Sequence, residues 1–347
     1  MRYLPFLLPS ALLMTGCHLP IRTDSQIRME GQLKTDLPPV PDCGPVKPVV
    51  VQAGTQHHTV AILDVDGLLL NHPYIGPGSY GENPVDLFRE KLDTMEAGPV
   101  PQAIVLRINS PGGGVAACIA MRRDLQRFKE RTGVPVVACL LDTATGGAYY
   151  LASAADCIVA GPATVTGGVG VILNLYNLKD LMAQFNIMPQ TIKAGNFVDL
   201  GTSNQPLKPE EKEQLQTIAD EFHGILQEDI LRSRSQIDKK GGTTFDGRIF
   251  TGTQALNRRL VDQIGDLDDA IGVAARLGCA SGNSPRPRVV LYRRSSDGAR
   301  TPYAVTANSP LQGSGLFPSI PGIDRSKLPT FLSVWECEPT LEKLGGK

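Results

Sequence analysis

The sequence predicts an α/β fold in which buried parallel strands alternate with amphipathic helices. Short apolar runs such as Val60–Val65 and Ala103–Ile108 have the length and composition of strands buried on both faces. Helical patterns lie between successive runs, and a strand, a helix and a strand in that order indicate a parallel crossover unit. The composition agrees, because 41% hydrophobic and 20% charged residues are typical of a globular protein. The formal net charge of −1 gives no electrostatic support for nucleic-acid binding.

The N-terminus has the layout of a lipoprotein signal peptide. Met1–Arg2 supplies positive charge, Tyr3–Met14 is uncharged, and Thr15 and Gly16 precede Cys17. The apolar run is shorter than the ~20 residues that span a membrane. The residues before Cys17 resemble the bacterial lipobox, in which the cysteine carries the lipid, and an ordinary secretory signal is the alternative. We therefore expect residues 1–17 to be a signal peptide and the exported chain to be lipid-anchored to the inner or outer membrane, on its periplasmic side.

Three regions are expected to follow the signal peptide. Residues 18–58 are interpreted as a Pro-rich linker, residues 59–280 as the folded domain, and residues 281–347 as a Pro/Gly/Ser-rich extension with mostly irregular structure. The cysteines lack the CxxC spacing of a zinc site, so no metal and no cofactor is expected. Cys43 and Cys337, in the two flanks, are candidates for a disulfide.

The later elements of the domain follow from the same patterns. A helix is indicated where Cys118, Met121, Leu125 and Phe128 recur at helical spacing, with Arg122 among the charged residues on the other faces. Three more apolar runs predict strands: Val134–Leu140, Cys157–Ala160 and Val169–Leu173. Two more helices are predicted, one starting at Pro209 and one from Asp268 to Leu277.

Two glycine-rich turns carry the candidate chemistry. Asn109–Gly114 joins a strand to a helix, where backbone N–H groups can bind an anion or a developing oxyanion. A phosphate loop is excluded because GxxxxGK[ST] is absent, and a plain Pro-Gly turn is the alternative. Asp142–Tyr150 is a second turn between a strand and a helix, and it would present the Thr145 hydroxyl like an exposed nucleophile.

Between Val60 and Leu277 the chain resembles the S49 family of serine peptidases, of the signal peptide peptidase A (protease IV) type. The resemblance rests on five ordered segments: VAILDVDGLL, LRINSPGGGV, TGGAYYLASAAD, TVTGGVGVI and FDGRIFTGTQALNRRLVDQIGDLDDAI. It implies a ClpP/crotonase-like fold of repeated ββα units with a helical oligomerisation region. It also implies a homo-oligomer that hydrolyses signal-peptide remnants or membrane-proximal unfolded peptides.

The resemblance places a catalytic dyad on residues that depart from the family pattern. The family's nucleophilic serine falls on Thr145, the oxyanion donors fall on Gly112, Gly113 and Gly146, and the lysine base falls on Val198. Valine cannot accept a proton, and the extra methyl of threonine restricts its χ1 angle. We expect an exposed Thr145 Oγ between the two turns, with Val198 close by. The prediction is a peptidase with weak or lost activity.

Three alternatives stand beside that prediction. The first is a non-catalytic pseudopeptidase that binds peptides or partner proteins as a scaffold. The second is a peptidase in which Lys193 replaces the missing base from another direction. The third is an acyl-CoA enzyme of the crotonase type, which the peptidase-like segment Arg248–Asp269 argues against.

Overall fold

The computed structural model describes residues 44–73, 82–237, 243–279, 286–294, 299–304 and 332–334. The predicted signal peptide with Cys17, and the disulfide candidates Cys43 and Cys337, lie outside these residues. Within the described residues, no helix is long and apolar enough to cross a membrane.

The described residues form a mixed α/β fold. The strands are β1 (Val46–Gln52), β2 (Thr55–Leu69), β3 (Ala103–Gly114), β4 (Val136–Thr145), β5 (Cys157–Ala160), β6 (Val165–Gly167), β7 (Ile249–Thr251), β8 (Gln263–Ile264), β9 (Pro287–Arg294) and β10 (Leu332–Val334). The helices are α1 (Pro84–Ala97), α2 (Val115–Thr132), α3 (Gly147–Ala152), α4 (Lys179–Gln184), α5 (Pro209–Ser233), α6 (Gly252–Asn257) and α7 (Leu267–Leu277). The α/β class and the alternation of strands and helices are as the sequence predicts.

The main sheet has the order β1, β9, β2, β3, β4, β5, β8. The pairs from β9 through β8 are parallel, and β1 joins β9 in the antiparallel sense. Away from this row, β6 pairs with β4 and β7, and β10 pairs with β3. Since the carboxyl ends of parallel strands meet at one edge, Gly112–Gly114 at the end of β3 and Thr145 at the end of β4 are brought together there.

Alternate residues of the central strands are buried on opposite faces of the sheet, each face against its own helices. Leu63 and Val65 of β2 belong to the core cluster that includes buried residues of α1, α2 and α3. Val60 and Ile62 belong to a second cluster with the apolar residues of α7. Helices on both faces explain why these strands read as continuous apolar runs.

The sheet extends beyond the folded range predicted from the sequence. β1 lies inside the segment interpreted as a linker, and β2 begins at Thr55, before residue 59. β9 and β10 lie inside the extension that was expected to be mostly irregular. The proline content of the flanks predicted irregular structure, but proline does not exclude a strand at the edge of a sheet. Pro48 lies in β1, which is such an edge strand.

The strand predicted at Val169–Leu173 is wrong. The strand in this region is β6, and it ends at Gly167. Gly167 and Gly168 have φ values of +87° and +62°, which turn the chain out of the extended conformation. Beyond them Ile172 makes only an isolated antiparallel bridge, to Leu332.

Candidate active site

The two glycine-rich segments that the sequence predicts as turns lie in direct contact at the carboxyl edge of the sheet. The first, Asn109–Gly114, is not a turn but the extended end of β3. Gly112 has a φ of +105°, and a Cβ added there would lie 2.9 Å from the Gly147 nitrogen and 3.0 Å from the Thr145 carbonyl oxygen. Gly146 also has a positive φ, of +54°. Both positions therefore need glycine for the backbone conformation, and at Gly112 the second glycine-rich segment also approaches too closely for a side chain.

Thr145, the last residue of β4, is buried in this structure. It has no exposed surface, and its Oγ1 donates a hydrogen bond to the Pro111 carbonyl oxygen at 3.0 Å. The prediction of an exposed hydroxyl is therefore wrong. The hydroxyl proton is directed at a backbone carbonyl, which cannot take it up as a general base would.

Two of the expected oxyanion donors already have partners in the chain. The Gly112 N–H donates to Ser110 Oγ at 3.1 Å, and the Gly146 N–H donates to the Gly167 carbonyl at 2.8 Å. The third, Gly113, lies opposite Ser333 in the antiparallel pairing of β3 with β10. In this structure the Gly112 and Gly146 amides are therefore already hydrogen-bonded and are not available to an oxyanion. The Gly112–Gly114 segment pairs instead with an extended backbone.

The base position and its substitute lie on the surface. The Val198 side chain is 68% exposed. Lys193 Nζ forms an ion pair with Asp199 Oδ1 at 2.6 Å, and this hydrogen bond lowers the pKa of the Asp199 carboxyl. Among the described residues, Thr145 Oγ1 has its hydrogen bond only with Pro111. Within the described part of this chain, therefore, no lysine is placed to accept the proton of the Thr145 hydroxyl.

Two buried serines of this region, Ser110 and Ser153, have structural roles. Ser110 is buried and accepts the Gly112 hydrogen bond. Ser153 Oγ accepts from Arg122 Nη1 at 2.7 Å and donates to the Tyr150 carbonyl at 2.7 Å. Ser110 Oγ is thus engaged within the first glycine-rich segment itself, and Ser153 Oγ is engaged by Arg122 and Tyr150. Among the described residues there is also no group of three His, Cys, Asp or Glu side chains that could hold a metal.

An extended segment, Leu332–Val334, lies against the glycine turns, and sequence reasoning missed it. Leu332, Ser333 and Val334 pair in the antiparallel sense with Gly114, Gly113 and Gly112. On the other side, Leu332 exchanges two backbone hydrogen bonds with Ile172, of 2.8 and 3.0 Å. We call the channel between Gly112–Gly114 and Ile172 the strand groove.

The Ser333 carbonyl oxygen lies directly over the glycines. A Cβ on Gly112 would come within 2.1 Å of that oxygen, a Cβ on Gly146 within 2.4 Å, and a Cβ on Gly147 within 3.3 Å. Leu332 is 1% exposed and Ser333 is fully buried. Thr145, directly before Gly146, is held by Pro111 and by its pairing with Gly167 of β6.

Residues 128–279 match the sequence model of peptidase family S49. The chain is a member of this family. It is 32% identical over 239 residues to the chloroplastic serine protease SPPA of Arabidopsis thaliana, which covers 68% of this chain and 33% of that protein. It is 29% identical over 223 residues to Protease 4 of Salmonella typhi, which covers 63% of this chain and 34% of that protein. The match thus spans about a third of the length of each of these S49 relatives.

The chain is also similar to solved protease structures. One is a serine-to-alanine mutant of the 1510-N membrane-bound stomatin-specific protease, with a TM-score of 0.42 and 14% sequence identity. The alignment covers 67% of this chain and 97% of that one.

Proposed function

We propose that this S49 domain binds peptides in an extended conformation in the strand groove and hydrolyses them much more slowly than a peptidase with a serine nucleophile and a lysine base. One observation carries the proposal: the edge of β3 at Gly112–Gly114 holds an extended backbone in antiparallel register. Addition of a strand to a sheet edge is a general way of binding peptides, because main-chain hydrogen bonds give affinity for many sequences.

The slow hydrolysis follows from the residues at the dyad positions. A positioned general base contributes about 10²–10⁴-fold to a rate, and Val198 supplies none. The Thr145 hydroxyl is bonded to the Pro111 carbonyl, so attack also requires that this bond be broken. Membership of a peptidase family favours the second candidate, a working peptidase whose base comes from outside the described residues or from another subunit.

The test restores the dyad. We expect the wild-type chain to show little turnover of a fluorescently labelled unfolded protein supplied in excess. The double variant Thr145→Ser with Val198→Lys should raise the rate by at least about two orders of magnitude, which is the lower bound for a restored base. Each single variant should do much less, because a nucleophile and its base act as a unit.

Thr145→Ala is the control for this assay. If the wild type already cleaves the substrate efficiently and Thr145→Ala abolishes cleavage, Thr145 is a working nucleophile. Slow hydrolysis would then be disproved, and the second candidate would be correct.

We further propose that the chain is exported, lipid-anchored at Cys17 and homo-oligomeric. The signal-peptide layout supports the anchor. The segment after α4 supports an oligomer, since it exposes large apolar side chains, which commonly mark protein interfaces. These are Phe185 (70% exposed), Ile187 (53%), Met188 (75%) and Ile192 (100%).

A further inference from the structure

The occupant of the strand groove belongs to this chain. Along one side of β3, the partner strand is β4 as far as the pair Ser110 and Ala144. Further along the same strand, Leu332–Val334 is the partner. Beyond that pair β4 runs into α3, and β10 pairs with the three following glycines of β3. The edge that an added peptide would need is therefore already taken.

The fit of this occupant is close on both sides. Leu332 has both of its backbone groups bonded to Ile172, while the segment pairs with Gly112–Gly114 on its opposite side. Ser333 is fully buried, and within the described residues its Oγ has no hydrogen-bond partner. The side chain is therefore enclosed in a small space without a polar partner, which an alanine would fill at no polar cost.

The position of the Ser333 carbonyl excludes a second backbone. Its oxygen sits over Gly112, Gly146 and Gly147, where the carbonyl of a bound peptide would have to lie. Two carbonyl oxygens cannot share this space. A peptide therefore enters only when the chain's own segment leaves.

The connection to the rest of the domain permits such a departure. Arg107 Nη2 donates to the Ala304 carbonyl at 2.7 Å, which ties the chain to β3 at that residue. Residues 305–331 separate this tie from Leu332. A chain of this length can reach about 90 Å when extended, so the segment can leave without disturbing the contact at Ala304.

We propose that Leu332–Val334 is an intramolecular inhibitor that closes the strand groove, and that a peptide binds only by displacing it. This inference rests on the proposed function, since it concerns access to the same groove. The segment competes as a tethered ligand, because it is part of the same chain as the groove. The apparent affinity for an outside peptide is reduced by the fraction of molecules whose groove is open.

The test compares chains with and without the occupant. The probe is a fluorescein-labelled peptide with the sequence of residues 329–336, PTFLSVWE, and the readout is fluorescence anisotropy. Two variants release the segment by independent routes: Leu332→Asp places a charge in a buried site, and Ser333→Arg is too large for the enclosed space. Each should bind the probe at least about tenfold more tightly than the full wild-type chain.

The matched control is Val50→Asp, which introduces the same charge at an exposed position of β1. It should bind the probe as the wild type does. Hydrogen exchange of the wild type supplies a measurement that needs no variant. Excess unlabelled peptide should speed exchange at the Leu332 amide, while the Ile172 amide stays protected because the incoming strand replaces its partner.

The possible outcomes separate the two proposals. Equal affinity of the wild type and both release variants disproves the inhibitor and leaves peptide binding intact. Binding to none of the chains disproves the proposed function, and the inhibitor with it. Tighter binding by the release variants alone supports both.

Discussion

At the scale of single residues, the absence of a side chain at Gly112 and Gly146 decides what the strand groove can hold. Any Cβ at either position would collide with the Ser333 carbonyl oxygen. A Cβ at Gly112 or Gly146 would collide in the same way with the carbonyl oxygen of any peptide bound in place of Ser333. These two glycines therefore matter for binding as well as for backbone conformation.

Gly112→Ala should abolish binding of the peptide probe and expose the Leu332 amide to rapid hydrogen exchange. A Cβ there meets an oxygen at 2.1 Å, and the φ of +105° adds strain. The control is Gly133→Ala, at φ +67° with nothing within 4 Å of the added Cβ. It should cost about 1–2 kcal/mol of stability from strain alone and leave probe binding unchanged. Equal loss of binding in both variants would contradict the steric argument.

Sequence reasoning could find the two turns but not the state of Thr145. The glycine patterns at Asn109–Gly114 and Asp142–Tyr150 are local, and each follows a clear strand signal. The burial of Thr145, in contrast, depends on tertiary contacts, with Pro111 and with Gly167 of β6, and Gly146 beside it is covered by a segment almost two hundred positions further along the chain. Leu332–Val334 is three residues long, so no periodicity could mark it as a strand.

At the scale of elements, Arg122 joins the helix after β3 to the helix after β4. Its Nη1 donates to the Tyr150 carbonyl and to Ser153 Oγ, each at 2.7 Å, and Nη2 donates to the Asp229 carbonyl of α5 at 3.2 Å. The guanidinium also stacks 4.8 Å from the centre of the Tyr150 ring. Burial lowers the pKa of Arg122, and the side chain is only 2% exposed.

The helical pattern placed Arg122 on a charged face, and this is wrong. The pattern correctly gave the helix and its apolar stripe. It could not show that α3 and α5 would cover one charged position with their backbone carbonyls. A buried guanidinium is stable there because carbonyl and hydroxyl oxygens replace its water.

Arg122→Met should lower the free energy of unfolding by about 3 kcal/mol, because it removes the buried hydrogen bonds to Tyr150, Ser153 and Asp229 that connect α2 to α3 and α5. Arg122→Lys should recover only part of this loss, since an ammonium cannot bridge the same set of acceptors. Urea unfolding monitored by circular dichroism measures both. Arg127→Met is the control, because its side chain is 60% exposed and its ion pair should contribute at most about 1 kcal/mol. A loss in Arg122→Met no larger than in this control would refute the bridging role.

At the scale of the whole molecule, the sequence predicts the centre of the sheet well and its margins poorly. β2 through β5 are apolar runs flanked by helical patterns, so composition and order determine them. β1, β9 and β10 lie in Pro-rich flanks, and they are strands because of what they pair with. β9 contains one clear apolar run, Val289–Tyr292, but its pairing with β1 and β2 is long-range and has no local signal.

Membrane attachment of the whole chain should depend on one thiol. In the native host, Cys17→Ser should move the protein from the membrane fraction to the soluble fraction, because the lipid would be lost with its attachment site. Cys43→Ser is the matched control and should leave the protein in the membrane fraction. Mass spectrometry of the wild-type N-terminus should show a lipid-modified Cys17. An unmodified N-terminus, or a Cys17→Ser chain that stays with the membrane, would contradict the anchor.

Because β9 lies between β1 and β2 in the sheet, β1 cannot pair until β9 has been synthesised. Val46 pairs with Arg294, so the first strand of the described sheet meets its neighbour only when the ribosome has added roughly 250 further residues. At about 5–20 residues per second, this takes roughly 12–50 seconds. Until then the backbone edge of β2 that later pairs with β9 has no partner strand. A nascent chain halted before Pro287 should therefore bind chaperones and remain sensitive to protease. The main sheet therefore cannot be completed until β9 has been synthesised.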